Sequence, residues 1–95
     1  MAKGYVIGRA VVTNATQRAA YSAAGAAVIK QYGGVPLVRG GQMQIAEGEG
    51  RARNIVLEFA SFAAARAFAF SSEYAEVRKL REGAGTIDIV VVEGA

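Results

Sequence analysis

Hydrophobic and polar positions alternate along this chain in blocks that set out its elements before any single residue suggests chemistry. Residues 4–12, G-Y-V-I-G-R-A-V-V, are β-branched and aromatic and predict a strand. Its alternation places Tyr5, Ile7, Arg9 and Val11 on one face and Val6, Gly8, Ala10 and Val12 on the other. Asn14 offers a helix N-cap with Gln17 in the capping-box position, and the helix should run from Ala15 to Tyr32 before Gly33-Gly34 stops it. Tyr21, Ala24, Val28 and Tyr32 fall on one stripe of that helix, at spacings of three and four.

Residues 35–39 predict a second strand, and Pro36, without an amide donor, puts it at a sheet edge. Gly40-Gly41 is expected to form a bulge, Gln42 to Ala46 to continue the strand, and E-G-E-G at 47–50 to turn the chain. A third strand should follow over 51–60. Ser61 then caps a helix, F-A-A-A-R-A-F-A-F, which Ser71-Ser72 interrupts before it resumes at Glu73 and closes at Gly83. T-I-D-I-V-V-V-E-G is the last strand.

The order β-α-β-β-α-β within residues 1–95 predicts one domain of the α+β class. The fold is a ferredoxin-like sandwich with strand order 2-3-1-4 and both helices on one sheet face. Val6, Gly8, Ala10, Val12, Val38, Ile55, Leu57, Phe59, Ile87, Ile89 and Val91 are expected on the helix-covered face. The opposite face is too apolar to meet water across its whole width. Each strand also places one charge there: Arg39, Glu58, Arg9 and Asp88, of alternating sign across the sheet. Charges that can pair between strands allow a second sheet to cover them, so this face is expected to join two copies in a homodimer.

Composition narrows the chemistry. Hydrophobic residues make up 53% of 95, which favours a chain that shares some of its apolar surface with a partner. The net charge of +3 comes from scattered basic residues, with no run suited to nucleic acid or an acidic membrane. With no cysteine and no histidine, disulfides, thiol nucleophiles, histidine bases and the usual zinc ligand sets are excluded. Neither a metal nor a cofactor is expected, and no phosphate loop or dinucleotide fingerprint occurs. M-A-K-G-Y lacks the apolar core of a secretion signal, so a cytoplasmic location is expected.

Several segments together resemble the "domain of unknown function 1330" family, small bacterial proteins of the dimeric α+β barrel group. They are Y-V-I-G-R at 5–9, Y-G-G at 32–34, L-V-R-G-G at 37–41, I-V-L-E-F at 55–59, S-S-E-Y at 71–74, Arg81, and I-V-V-V-E-G at 89–94. The chain departs from the family where Asn14-Ala15 replaces Asp-Pro and Ser72 replaces proline, and it lacks Trp or Tyr within Phe68–Phe70. The resemblance implies a protomer that dimerises through its sheets. Cofactor-free oxygenase or isomerase chemistry among relatives of the group makes an enzyme conceivable.

The site expected from these readings is a small-molecule pocket between sheet and helices. Arg39 would hold an anionic or carbonyl-bearing ligand, with Glu58 opposite it as its partner or as the candidate catalytic base. Arg9, Tyr21, Phe70, Tyr74 and Arg81 complete the candidate set. The competing reading is a structural or regulatory dimer that takes no ligand.

Overall fold

The computed structural model describes residues 2–95, which form one antiparallel sheet with its helices on a single face. The elements are β1 (Gly4–Val12), α1 (Ala15–Gln31), β2 (Val35–Arg39), β3 (Arg53–Phe59), α2 (Phe62–Ala69), α3 (Ser72–Arg78), a 3-10 turn over Lys79–Arg81, and β4 (Gly85–Glu93). Strand order is β2-β3-β1-β4. The expected ferredoxin-like α+β architecture is therefore present, with the proline-bearing β2 at one edge. No helix among the described residues is long and apolar enough to cross a membrane.

Local chemistry explains the boundaries. The Asn14 side chain accepts the Gln17 amide at 3.0 Å and starts α1. Gln17 does not close a capping box, because its side chain donates to the Glu82 carbonyl at 2.7 Å and ties α1 to the end of the second helical segment. Asn14's own amide instead reaches the Ala84 carbonyl. At the other end the Gly34 amide bonds to Ile29 and the Gly33 amide to Lys30, a Schellman ending with Gly33 at φ +78°.

Ser61 caps α2 through the Ala64 amide. Ser71 does two jobs: its hydroxyl donates to the Phe68 carbonyl while accepting the Tyr74 amide, so α2 ends and α3 begins on one side chain. That serine is the physical basis of the break expected at this point.

The core lies between the helices and one sheet face, where Val6, Leu57, Phe59, Ala65, Phe68, Tyr74 and Val77 are buried. Phe59 stacks on Phe68 at 5.3 Å, and Phe68 packs on Tyr74 at 4.9 Å between ring centroids. Tyr21, Ala24 and Tyr32, three of the four stripe residues on α1, pack against this cluster, and Val28 is part of it. A T-shaped contact to Phe68 holds the Tyr32 ring, and its hydroxyl donates to Glu73.

Two expectations about the β2–β3 connection fail. The irregularity in β2 falls between Pro36 and Val38, at Leu37, and not at Gly40-Gly41. Gly40 and Gly41 do take positive φ, +73° and +87°, but as the exit from β2. Residues 42–46 do not extend the strand, and β3 begins at Arg53. Glycines at 41, 48 and 50 weaken strand pairing there, and Gly48 itself takes φ +74°.

Candidate functional site

The bulge at Leu37 decides what faces what. Val35 pairs with Glu58 and Pro36 with Leu57, after which the extra residue lets Val38 meet Val56 and Arg39 meet Ile55. One inserted residue reverses the side-chain alternation beyond it. Arg39 therefore joins Ile55 on the helix-covered face, Val38, expected on that face, turns outward with Val56, and Glu58 stays on the opposite, outer face. The expected Arg39–Glu58 pair does not exist, and Glu58 cannot serve as a base in a pocket that holds Arg39. Glu58 instead accepts the Tyr5 hydroxyl at 3.0 Å, and that bond, with burial, raises the Tyr5 pKa.

Arg9 also lies on the outer face, outside any pocket beneath the helices. It stands opposite Asp88 in the β1–β4 register, yet its guanidinium donates to the Glu49 carbonyl at 3.1 Å. Asp88 takes Arg51 at 2.7 Å instead. The connection before β3 thus supplies the counter-charge that alternation across strands had assigned to Arg9.

On the helix side, a cavity of about 140 Å³ opens between α1 and the sheet. Sheet register grades its floor. Ala10 pairs with Arg53, Gly8 with Ile55, and Val6 with Leu57, so the floor is basic at one end and apolar at the other. The roof comes from α1, where Arg18, Ser22, Gly25 and Ile29 follow one another at helical spacing along the side facing the sheet. Arg18 sits toward the same end as Arg53, because α1 leaves directly from the end of β1.

Tyr21 and Tyr74 form the side wall, with hydroxyls 2.6 Å apart and rings in a T-shaped contact. Burial first, then the neighbouring Tyr21, pushes the Tyr74 hydroxyl far above the usual tyrosine range, so it remains a neutral hydrogen-bonding group. The Arg81 guanidinium lies 5.4 Å from the Tyr21 ring centroid and reaches a small recess continuous with the basic end.

No carboxylate lines this cavity, and among the described residues none of Arg18, Arg39, Arg53 and Arg81 makes an ion pair. The Nε atoms of Arg53 and Arg81 are shielded from solvent with no hydrogen-bond partner. Guanidinium groups gathered around one cavity with no facing carboxylate favour an anion.

Of the residues singled out from the sequence, Arg39, Tyr21, Tyr74 and Arg81 thus gather at or beside one cavity. Phe70 does not face it. It is 74% exposed and lines an outer groove with Arg66, whose guanidinium lies 5.2 Å from its ring centroid. Arg18 and Arg53 were absent from the sequence-derived set. Arg53 shares the alternation of Ile55, Leu57 and Phe59, and Arg18 stands three residues before Tyr21, so both were readable from spacing.

Comparison with known proteins agrees with this architecture. A protein of unknown function from Rhodopseudomonas palustris superposes with a TM-score of 0.76, at 17% identity over 99% of this chain and 83% of its own. A "Putative antibiotic biosynthesis monooxygenase" from Nitrosomonas europaea superposes with a TM-score of 0.57, at 17% identity over 97% of this chain and 89% of its own. A second "putative antibiotic biosynthesis monooxygenase", from Caulobacter crescentus CB15, gives 0.58, at 16% identity over 99% of this chain and 90% of its own. At such identities the likeness is one of fold. No curated protein matches the chain. The profile of one family, however, matches residues 3–95, and the chain belongs to that family, "Domain of unknown function (DUF1330)".

Proposed function

We propose that the protein is a homodimer, joined through the outer face of its sheet, that binds a small anionic or carbonyl-bearing molecule in the cavity beneath α1. The observation that carries the binding reading is the lining itself: Arg18, Arg39 and Arg53 with no carboxylate, beside two hydrogen-bonded tyrosines. Guanidinium groups hold carboxylates through paired, charge-assisted hydrogen bonds, and a low-polarity enclosure strengthens them.

Support for the dimer comes from the outer face. Val11, Val35, Val38, Val90 and Val92 are all exposed there on a single chain. Exposed valines on three of the four strands mark an interaction surface, and twofold pairing of identical faces is the simplest way to cover them.

Calorimetric titration with acetate, pyruvate and benzoate tests the binding reading. At least one carboxylate should bind the native protein, and Arg39→Met with Arg53→Met should abolish that binding while the protein still folds. If none of the three binds, or all bind the double variant equally well, the cavity is not an anion site.

A further inference from the structure

Resting on that anion-binding reading, we infer that the ligand is a carboxylate carried on a single planar six-membered ring, of the benzoate class. Three features of the cavity point to it. The first is size. At about 140 Å³ the space matches a cavity of about 150 Å³ lined by apolar side chains, which accepts one benzene ring. Acetate would leave most of that volume empty, and two fused rings would exceed it and extend through its open mouth.

The second is the distribution of polarity. Along β1 and β3 the floor runs from Arg53 opposite Ala10, through Ile55 opposite Gly8, to Leu57 opposite Val6. Phe68 lies with the apolar end, and Ile89 flanks Gly8 across from Ile55. A ligand with charge at one end and an uncharged ring at the other fits that gradient; an aliphatic dicarboxylate would put its second charge against Leu57 and Phe68, a costly burial.

The third is the flatness of floor and roof. Gly8 in β1 and Gly25 in α1 both line the cavity and are themselves buried. At Gly8 an added Cβ would meet only ordinary contacts, 3.6 Å from Ile87, 3.8 Å from Ile89 and 3.9 Å from Ile55. At Gly25 the nearest neighbour would be Val77 at 3.7 Å. Neither glycine is required by a positive φ or a backbone clash. Their smoothness leaves space of the thickness a flat ring needs, between aromatic and branched walls.

The test compares benzoate, acetate, 1-naphthoate and benzyl alcohol by calorimetry on the native protein and on Gly8→Val, with Gly8→Ala as the milder variant. Benzoate should bind at least about tenfold more tightly than acetate, benzyl alcohol or 1-naphthoate. Gly8→Val should weaken benzoate at least about tenfold yet leave acetate binding and the melting curve little changed, because the arginine end is untouched. Should Gly8→Val fail to fold, Gly8→Ala should show the same selective loss in smaller measure. Acetate binding as tightly as benzoate, or naphthoate binding better, overturns the single-ring inference while leaving an anion site intact. Absence of binding by every carboxylate overturns both.

Discussion

The hydroxyls of Tyr21 on α1 and Tyr74 on α3 lie 2.6 Å apart and join the two helices at the wall of the cavity. Each is the other's partner in a nearly dry setting, with Tyr74 only 5% exposed. Tyr21→Phe leaves the buried Tyr74 hydroxyl without this partner and should cost about 1–3 kcal/mol, whereas Tyr74→Phe leaves the half-buried Tyr21 hydroxyl and should cost less for that loss. The double Phe variant should cost less than the two single costs added, since no orphan remains. Chemical denaturation of the three variants measures the coupling, and strict additivity would show that the bond contributes nothing to stability.

The same burial sets the alkaline limit of the fold. Tyr74 binds its proton more tightly folded than unfolded, so its contribution is complete below the ordinary tyrosine value of 10.0 and is lost as pH rises above it. Tyrosinate absorbance near 295 nm should therefore show a late component that coincides with unfolding and disappears in Tyr74→Phe. A late component that persists in that variant would assign it elsewhere.

At the acid limit the sign reverses. Glu73 is held below its ordinary value of 4.5 by its own backbone amide first, then by the Ser72 and Tyr32 hydroxyls and the Gln31 side chain. Its contribution is present above 4.5 and declines as pH falls through the lower folded value. Melting temperatures followed from about pH 6 down to about pH 3 should fall less steeply for Glu73→Gln than for the native protein. Parallel curves would remove this latch between the end of α1 and the start of α3 from the acid response.

Much of the architecture is legible in the chain, because periodicity, caps and edge signals agree at Asn14, Pro36, Ser61 and Ser71. The site is less so, and the reason is one residue. Strict alternation through Val35, Leu37 and Arg39 carries Arg39 to the outer face beside Glu58, whereas the bulge at Leu37 turns it inward to face α1. Nothing in V-P-L-V-R marks that position, since the glycines that suggest a bulge come just after it. Arg53 needed no such shift. The counter-charge for Asp88 was hidden for another reason: Arg51 reaches it from an irregular connection whose path no period describes.

Gly40 offers a direct check on how β2 ends. It sits at φ +73°, and an added Cβ would lie 2.6 Å from the Arg53 guanidinium. Gly40→Val should cost about 1–3 kcal/mol through the backbone conformation and should also displace Arg53 from the cavity. Carboxylate affinity should then fall along with stability. Gly41→Val provides the comparison, since its φ is +87° but no atom lies within 4 Å of an added Cβ. It should lose stability without losing affinity, and equal affinity losses would mean that Arg53 is not held by this contact.

Val90 tests the assembly. It lies opposite Ile7 on the outer face and is 51% exposed on a single chain. If the chain were monomeric, Val90→Asp would be a surface change worth no more than about 0.5 kcal/mol. Within a sheet-to-sheet interface it would place an unpaired carboxylate among the valines of two copies, which is strongly unfavourable. Sedimentation should find the native protein near 20 kDa, about twice its 9.9 kDa chain mass, and should find Val90→Asp dissociated or unfolded. Val90→Thr keeps the shape with a far smaller desolvation cost and should remain dimeric at higher concentration. A native chain that sediments as a stable monomer at micromolar concentration would leave the apolar outer face without its second copy, and Val90→Asp would then melt like the native protein.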